Sequence, residues 1–171
     1  MPRGETPTTM PEAHQDGESH HEPQWLSMEQ QEVWRAWLTA TARIDDLLTA
    51  DLRPFNLDLN EYEVLVVLSE APAHSIRMSA LAEGANQSRS RLTHTVGRME
   101  AAGLIVREPA ADDRRGVIAR LTAEGFALLE RAASSHVSAV RRIFIDPVTP
   151  ADLEAMGRAL GAILSVADSD K

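Results

Sequence analysis

The 171-residue chain contains no cysteine, which rules out a disulfide, a thiolate metal site and a cysteine-based redox switch. Any sensing has to use other chemistry. Long apolar runs are missing too, because the longest, Val64 to Leu68, is far below the ~20 residues that a membrane-spanning helix needs. No apolar stretch follows Arg3 before Trp25, so no secretory signal is predicted and the expected location is the cytoplasm, with no membrane partner. Residues 1–24 have no Ile, Leu, Val or aromatic side chain to bury. Ordering them would cost entropy without return, so they are expected to form a disordered acidic tail. Within that tail His14, His20 and His21 stand near Asp16 and Glu22, but metal ligands need a fixed geometry that such a segment lacks. No Gly-rich phosphate loop, metal motif or internal repeat is present, and neither a metal nor a cofactor is expected.

Charge is unevenly spread. The formal net charge of -9 argues against a polyanionic partner, because neutralising phosphates takes clustered cations. Residues 1–24, however, hold one cation against five carboxylates, whereas residues 86–121 hold seven arginines against four carboxylates. The average therefore hides a local basic region of the kind that nucleic acid requires.

Residues 25–171 suit one compact body. Ser27 and Gln30 form a capping-box pattern ahead of Trp34, Trp37, Leu38, Thr41, Ile44 and Leu48, which recur at helical spacing; this first helix should end before Pro54. Asn60 with Glu63 offers a cap for a second helix ending at Ala71-Pro72. Ser75 to Arg77 fits a brief strand, followed by a helix from Met78 to about Glu83 stopped by Gly84. A fourth helix from about Ser88 to Ala102 is closed by Gly103. Two short helices about a polar turn make a helix-turn-helix pattern. Leu104–Arg107 and Val117–Leu121 are β-prone runs flanking a polar tip, Pro109–Arg115, and so predict a hairpin, or wing. Thr122 caps a long helix with an expected buried stripe of Phe126, Leu129, Ala133, Val137, Val140 and Phe144. Thr149-Pro150 begins the last helix.

With Leu92 at the centre of the inward face of the fourth helix, Val96 and Met99 fall within about 40° of it at 100° per residue. Ser90, His94, Gly97 and Ala101 then face outward, flanked by Gln87, Arg91 and Arg98. Short and donor-rich side chains suit a helix lying in a major groove, although an ordinary solvated face has the same composition. On this reading Gln87, Ser90, Arg91 and His94 address bases, Ser88 belongs to the same DNA-binding set, and Arg98 addresses phosphate. Gly97 lowers helix propensity and suits a close approach of backbone to a partner. At the wing tip an Asp can hold an Arg extended toward a narrow minor groove.

The stretch from Arg77-Met78-Ser79-Ala80-Leu81-Ala82 through Ser88-Arg89-Ser90-Arg91-Leu92-Thr93 to Arg98–Ile105, followed by Asp113-Arg114-Arg115-Gly116-Val117 and Leu121-Thr122 with Gly125, resembles the MarR family of regulators. The resemblance implies a mainly α-helical winged helix-turn-helix protein of about six helices plus a small β-hairpin. It also implies a homodimer that usually represses transcription from double-stranded DNA and is often released by a small aromatic or phenolic ligand. It places the wing arginine at Arg115, with Arg114 beside it and Asp113 orienting it, and the recognition-helix arginine at Arg98. Gly97 departs from the family pattern, which is often acidic or polar there. The first-helix cysteine of peroxide-sensing relatives is absent.

Residues 57–121 would form the DNA-binding lobe, and residues 25–53 and 122–168 the dimerisation helices. A two-fold dimer predicts half-sites about 10 bp apart. A ligand pocket between the two parts is expected where Trp34, Trp37, Tyr62, Arg77 and His136 converge, although for the aromatic residues core packing is the alternative. Two other functions stay open: a winged-helix interaction module without DNA binding, and an enzyme using His94 or His136 as a base, although no partner stands at a recognisable catalytic spacing from either.

Overall fold

The computed structural model describes residues 24–110 and 113–169, with the backbone alone at 113–115 and 168. The expected tail thus lies outside the described residues, save Gln24. Helix α1, Met28–Leu52, starts on the expected capping box: Ser27 Oγ accepts from the Gln30 N–H at 3.2 Å, and Gln30 Oε1 accepts from the Ser27 N–H at 2.9 Å. A single 3-10 turn, Arg53–Phe55, replaces the helix at Pro54. Helix α2, Leu59–Glu70, is capped by Asp58 with Glu61 rather than by the expected Asn60 with Glu63. Asp58 has the extended backbone a cap needs (φ -94°, ψ 169°) and accepts from the Glu61 N–H at 2.8 Å, whereas Asn60 already lies inside the helix.

Strand β1, Ser75–Arg77, leads into α3, Met78–Gly84, and α4, Arg89–Ala101. Both helices end in the same way. At α4, Gly103 is left-handed (φ 77°), its N–H reaches Glu100 O and the Leu104 N–H reaches Met99 O. At α3 the left-handed residue is Asn86 (φ 49°), with its N–H on Glu83 O and the Gln87 N–H on Ala82 O. These paired bonds satisfy carbonyls that a helix end would otherwise leave bare. Helix α3 ends at Gly84 as expected, although the left-handed residue that turns the chain is Asn86; a Cβ on Gly84 would stand 3.0 Å from the Val67 side chain.

Strands β2, Ile105–Ala110, and β3, Asp113–Leu121, form an antiparallel hairpin, and β1 pairs on the far side of β3, giving the order β1-β3-β2. Most of the expected tip, Pro109–Arg115, is therefore strand. Pro109 is tolerated because β2 is an edge strand, and the register slips just after it, between Pro109 and Ala110.

The Leu121-Thr122…Gly125 motif is a structural joint. Thr122 Oγ1 donates toward the Gly103 and Leu104 carbonyls at 2.8 and 3.0 Å and accepts from the Gly125 N–H at 3.0 Å. A Cβ on Gly125 would stand 2.2 Å from Leu104 O, so only glycine lets helix α5, Ala123–Val140, begin against the hairpin. The face that α5 buries is Gly125, Leu129, Ala132 and Ala139; Val137 is 56% exposed. Leu129 is buried as expected, but the rest of the expected stripe missed by about one residue, since Ala132 and Ala139 rather than larger apolar residues make the contact. A wide π-helical turn, Arg141–Ile145, and a loop precede α6, Pro150–Ser169, whose first turn is capped by Thr149 Oγ1 accepting from the Asp152 N–H at 3.2 Å.

Leu52, Leu65, Leu68, Leu81, Leu92, Val96, Met99 and Ile105 are essentially inaccessible, each fully buried leucine contributing about 1.5–3 kcal/mol. They join the end of α1, α2, α3, α4 and the hairpin base into one core. Among the described residues no helix is long and apolar enough to cross a membrane.

Candidate nucleic-acid interface

Helix α4 has two unlike faces. Leu92, Val96 and Met99 are at most 1% exposed, whereas Ser90, Arg91 and His94 are exposed. Ser88 caps the helix, its Oγ accepting from the Arg91 N–H at 3.2 Å, so this hydroxyl already serves the backbone. Nothing inside the protein requires glycine at 97, where a Cβ would meet open space. Arg89, in the first turn, is exposed on the same helix; sequence reasoning misses it, although its place directly after the Ser88 cap is a signal.

Two expected contacts turn inward instead. Gln87, expected on bases, is 8% exposed. Its Nε2 donates to Asn60 O at 3.1 Å, and its Oε1 accepts from Thr95 Oγ1 at 3.3 Å. A buried amide must be satisfied internally, and here it fastens α4 to the start of α2. Arg98, expected on phosphate, reaches the same place: its guanidinium lies 3.2 Å from Asp58 and 3.0 Å from Glu61, the capping pair of α2. Its side chain stays 57% exposed, but two carboxylates already neutralise it. Spacing along α4 indicates the direction of these side chains only roughly; the acceptors that capture them come from the start of α2, 27 to 40 residues earlier.

The hairpin stands beside α4. Arg107 is braced by Glu100, whose carboxylate accepts from the Arg107 backbone N–H at 3.0 Å and from its Nε at 2.9 Å. These bonds hold the Glu100 carboxyl below its ordinary range. Arg120 pairs with Glu108 across the two strands. Asp113, Arg114 and Arg115 open β3, while their side chains lie outside the described residues. A groove of about 420 Å³ between α3, α4 and the hairpin base is lined by Arg77, Ser79, Thr93, Arg107, Gly116 and Val117, together with Met78.

That placement corrects the expected ligand pocket. Arg77 lies in this groove, and Trp34 and Trp37 line a separate apolar groove with Met156, Leu160 and Ile163 of α6. Of the five residues only Tyr62 and His136 converge, with ring centroids 4.2 Å apart. They line a cleft of about 660 Å³ between α1, α2, the turn after α3 and α5. Burial lowers the pKa of His136 and raises that of Tyr62, so both rings are neutral near pH 7. Five residues from elements this far apart in sequence, four on helices and Arg77 on β1, cannot be sorted into pockets without knowing how those elements pack.

The MarR family profile matches residues 55–116, from the end of the 3-10 turn into the hairpin. The HTH-type transcriptional regulator PecS of Dickeya dadantii (strain 3937) is 31% identical over 121 residues, 70% of this chain and 72% of that protein. The chain belongs to the MarR family. Among solved structures, AbsC, a MarR family transcriptional regulator from Streptomyces coelicolor, is similar with a TM-score of 0.82 and 41% identity, covering 86% of this chain and 99% of AbsC. Sco3205, a MarR family transcriptional regulator from the same organism solved in complex with DNA, has a TM-score of 0.81 and 38% identity over 84% of this chain and 91% of its own. As a MarR-family member the protein is a winged-helix transcriptional regulator and not an enzyme.

Proposed function

We propose that this MarR-family regulator binds a pseudo-palindromic operator as a homodimer in the cytoplasm, represses transcription there and is released by a small ligand. The observation that carries the DNA reading is the division of α4: an inaccessible Leu92–Val96–Met99 face holds the helix rigidly, while exposed Ser90, Arg91 and His94 stand beside the arginine-bearing hairpin. A rigid helix offering short polar and cationic side chains can enter a major groove, and the wing can follow the adjacent minor groove. Ser90, Arg91 and His94 then address bases, Arg114 and Arg115 address the backbone or minor groove with Asp113 orienting Arg115, and Gln87 and Arg98 set the angle of the helix. Sco3205, whose fold is closely similar, is described in complex with DNA.

Dimerisation is supported by apolar surface that the chain itself does not cover. Trp34 is 53% and Ile163 60% exposed, and with Leu26, Val33 and Trp37 they line one apolar groove; an exposed apolar patch of this kind marks an association surface. On this reading residues 25–171 are one body, with 57–121 as the DNA lobe and the first and last helices as the dimer arms; the cleft holding Tyr62 and His136 lies where they meet and is the place for an effector. An effector acts by favouring a different spacing of the two α4 helices, which requires unequal affinity for the two states.

The test is a gel-shift titration on an operator selected from random sequence. Arg115→Ala is expected to weaken binding roughly tenfold or more, the loss of one strong groove contact, with melting temperature and dimer unchanged. Unchanged affinity rejects the wing assignment, and failure of the unsubstituted protein to select any site favours an interaction module over a DNA-binding regulator.

A further inference from the structure

The cleft between α1, α2 and α5 has a marked chemical character. Asp45, Glu63 and Glu70 line it, and no lysine or arginine does among the described residues. Its one basic side chain, His136, is held neutral by burial against only partial opposition from Asp51, and its buried Nδ1 has no hydrogen-bond partner. Glu63 reports the local field. Burial, Asp45 and Asp58 all raise its pKa, and Arg91, from outside the lining, offsets them only in part. Between the carboxylates lie Leu48, Leu59, Val66 and Val67 and the Tyr62 ring, a surface able to take an apolar body of modest size. At about 660 Å³ the cleft falls within the ordinary range for small-molecule sites.

We propose that this cleft takes a compact organic cation, an aromatic or alkyl amine whose ammonium group lies among Asp45, Glu63 and Glu70 and whose apolar body rests on Tyr62 and the adjoining aliphatic side chains. The assignment rests on the effector reading above and gives it a ligand class. It runs against a phenolate or aromatic carboxylate, the class that the family resemblance implied. An anion would enter a site walled by like charge with no cation to receive it, whereas an ammonium finds acceptors on several sides, and the neutral Tyr62 face adds attraction for a cation.

Three probes with one indole body separate charge from shape: tryptamine, tryptophol and indole-3-acetate, titrated calorimetrically into the full-length protein without DNA at low salt. Tryptamine is expected to bind at least roughly tenfold more tightly than tryptophol, the scale of one uncompensated charge interaction near a surface, and indole-3-acetate most weakly. An Asp45→Asn/Glu70→Gln variant, altered at two exposed positions where folding is not at stake, should lose most of the preference while keeping its melting temperature. An equal or reversed order, no binding of tryptamine, or a preference that survives in the variant overturns the proposal. Operator binding is measured separately without ligand. Failed operator binding removes the regulator reading and leaves the calorimetric result for the cleft intact. If tryptamine binds as expected but leaves operator affinity unchanged, the ligand class is supported and the cleft's role as effector site falls.

Discussion

The lobe from α2 to β3 and the arms formed by α1 and α6 contain similar apolar residues but treat them in opposite ways. In the lobe, Leu65, Leu68, Leu81 and Leu92 are at most 1% exposed, so the chain closes its own core and α4 has one defined position. In the arms, Trp34, Trp37, Val33 and Ile163 line an open apolar groove of about 650 Å³ or stand in solvent. Amphipathic helices are stable in water when the apolar stripe is covered. The lobe core, closed with the help of Leu52 from α1 and Leu129 and Ala132 from α5, is thus covered within the chain, whereas the apolar stripes of the arms are left open.

The sharpest way to break this contrast is to attack the lobe. Leu92→Ala removes a 1%-exposed side chain at the base of α4 and should cost about 2–5 kcal/mol, read as a large drop in the thermal or urea midpoint; a loss under ~1 kcal/mol would mean that the lobe core is looser than its burial implies. Trp37→Glu with Ile163→Glu places charge in the arm groove and should turn the proposed dimer into monomers, seen by sedimentation, while hydrogen exchange in α2 and α4 stays slow. Dimers that persist would show that another surface holds the protomers. The smallest effect is expected where lobe and DNA face meet. Arg98→Ala breaks exposed ion pairs to Asp58 and Glu61 and should cost about 1 kcal/mol, leaving the salt dependence of operator binding nearly unchanged. A flatter salt slope would restore Arg98 as a phosphate contact, because each lost contact lowers that slope by about one.

Local signals are legible where one short segment supplies every partner. The Ser27–Gln30 capping box, Thr122 as a cap, Gly103 as a left-handed terminator and the Leu92–Val96–Met99 face all agree with the structure. Legibility fails where partners are distant. Gln87 has the helix position of a base reader, yet the Asn60 carbonyl lies at hydrogen-bond distance. Gly125 reads as a family mark, and its reason is a carbonyl 21 positions earlier that leaves no room for a Cβ. The α5 stripe slips because hydrophobicity ranks valine above alanine, whereas a close helix contact selects small residues.

Most helix ends, the strand-prone runs and the inward face of α4 follow from interactions spanning a few residues, so composition and spacing largely specify them, the cap of α2 at Asp58 rather than Asn60 being an exception. The helix crossings, in contrast, determine which side chains share a cleft: they separate Trp34 and Arg77 from Tyr62 and His136, draw Arg98 onto α2 and gather Asp45, Glu63 and Glu70 around one space. Such neighbours come from packing across long chain separations, and no local pattern encodes the angle at which two helices meet.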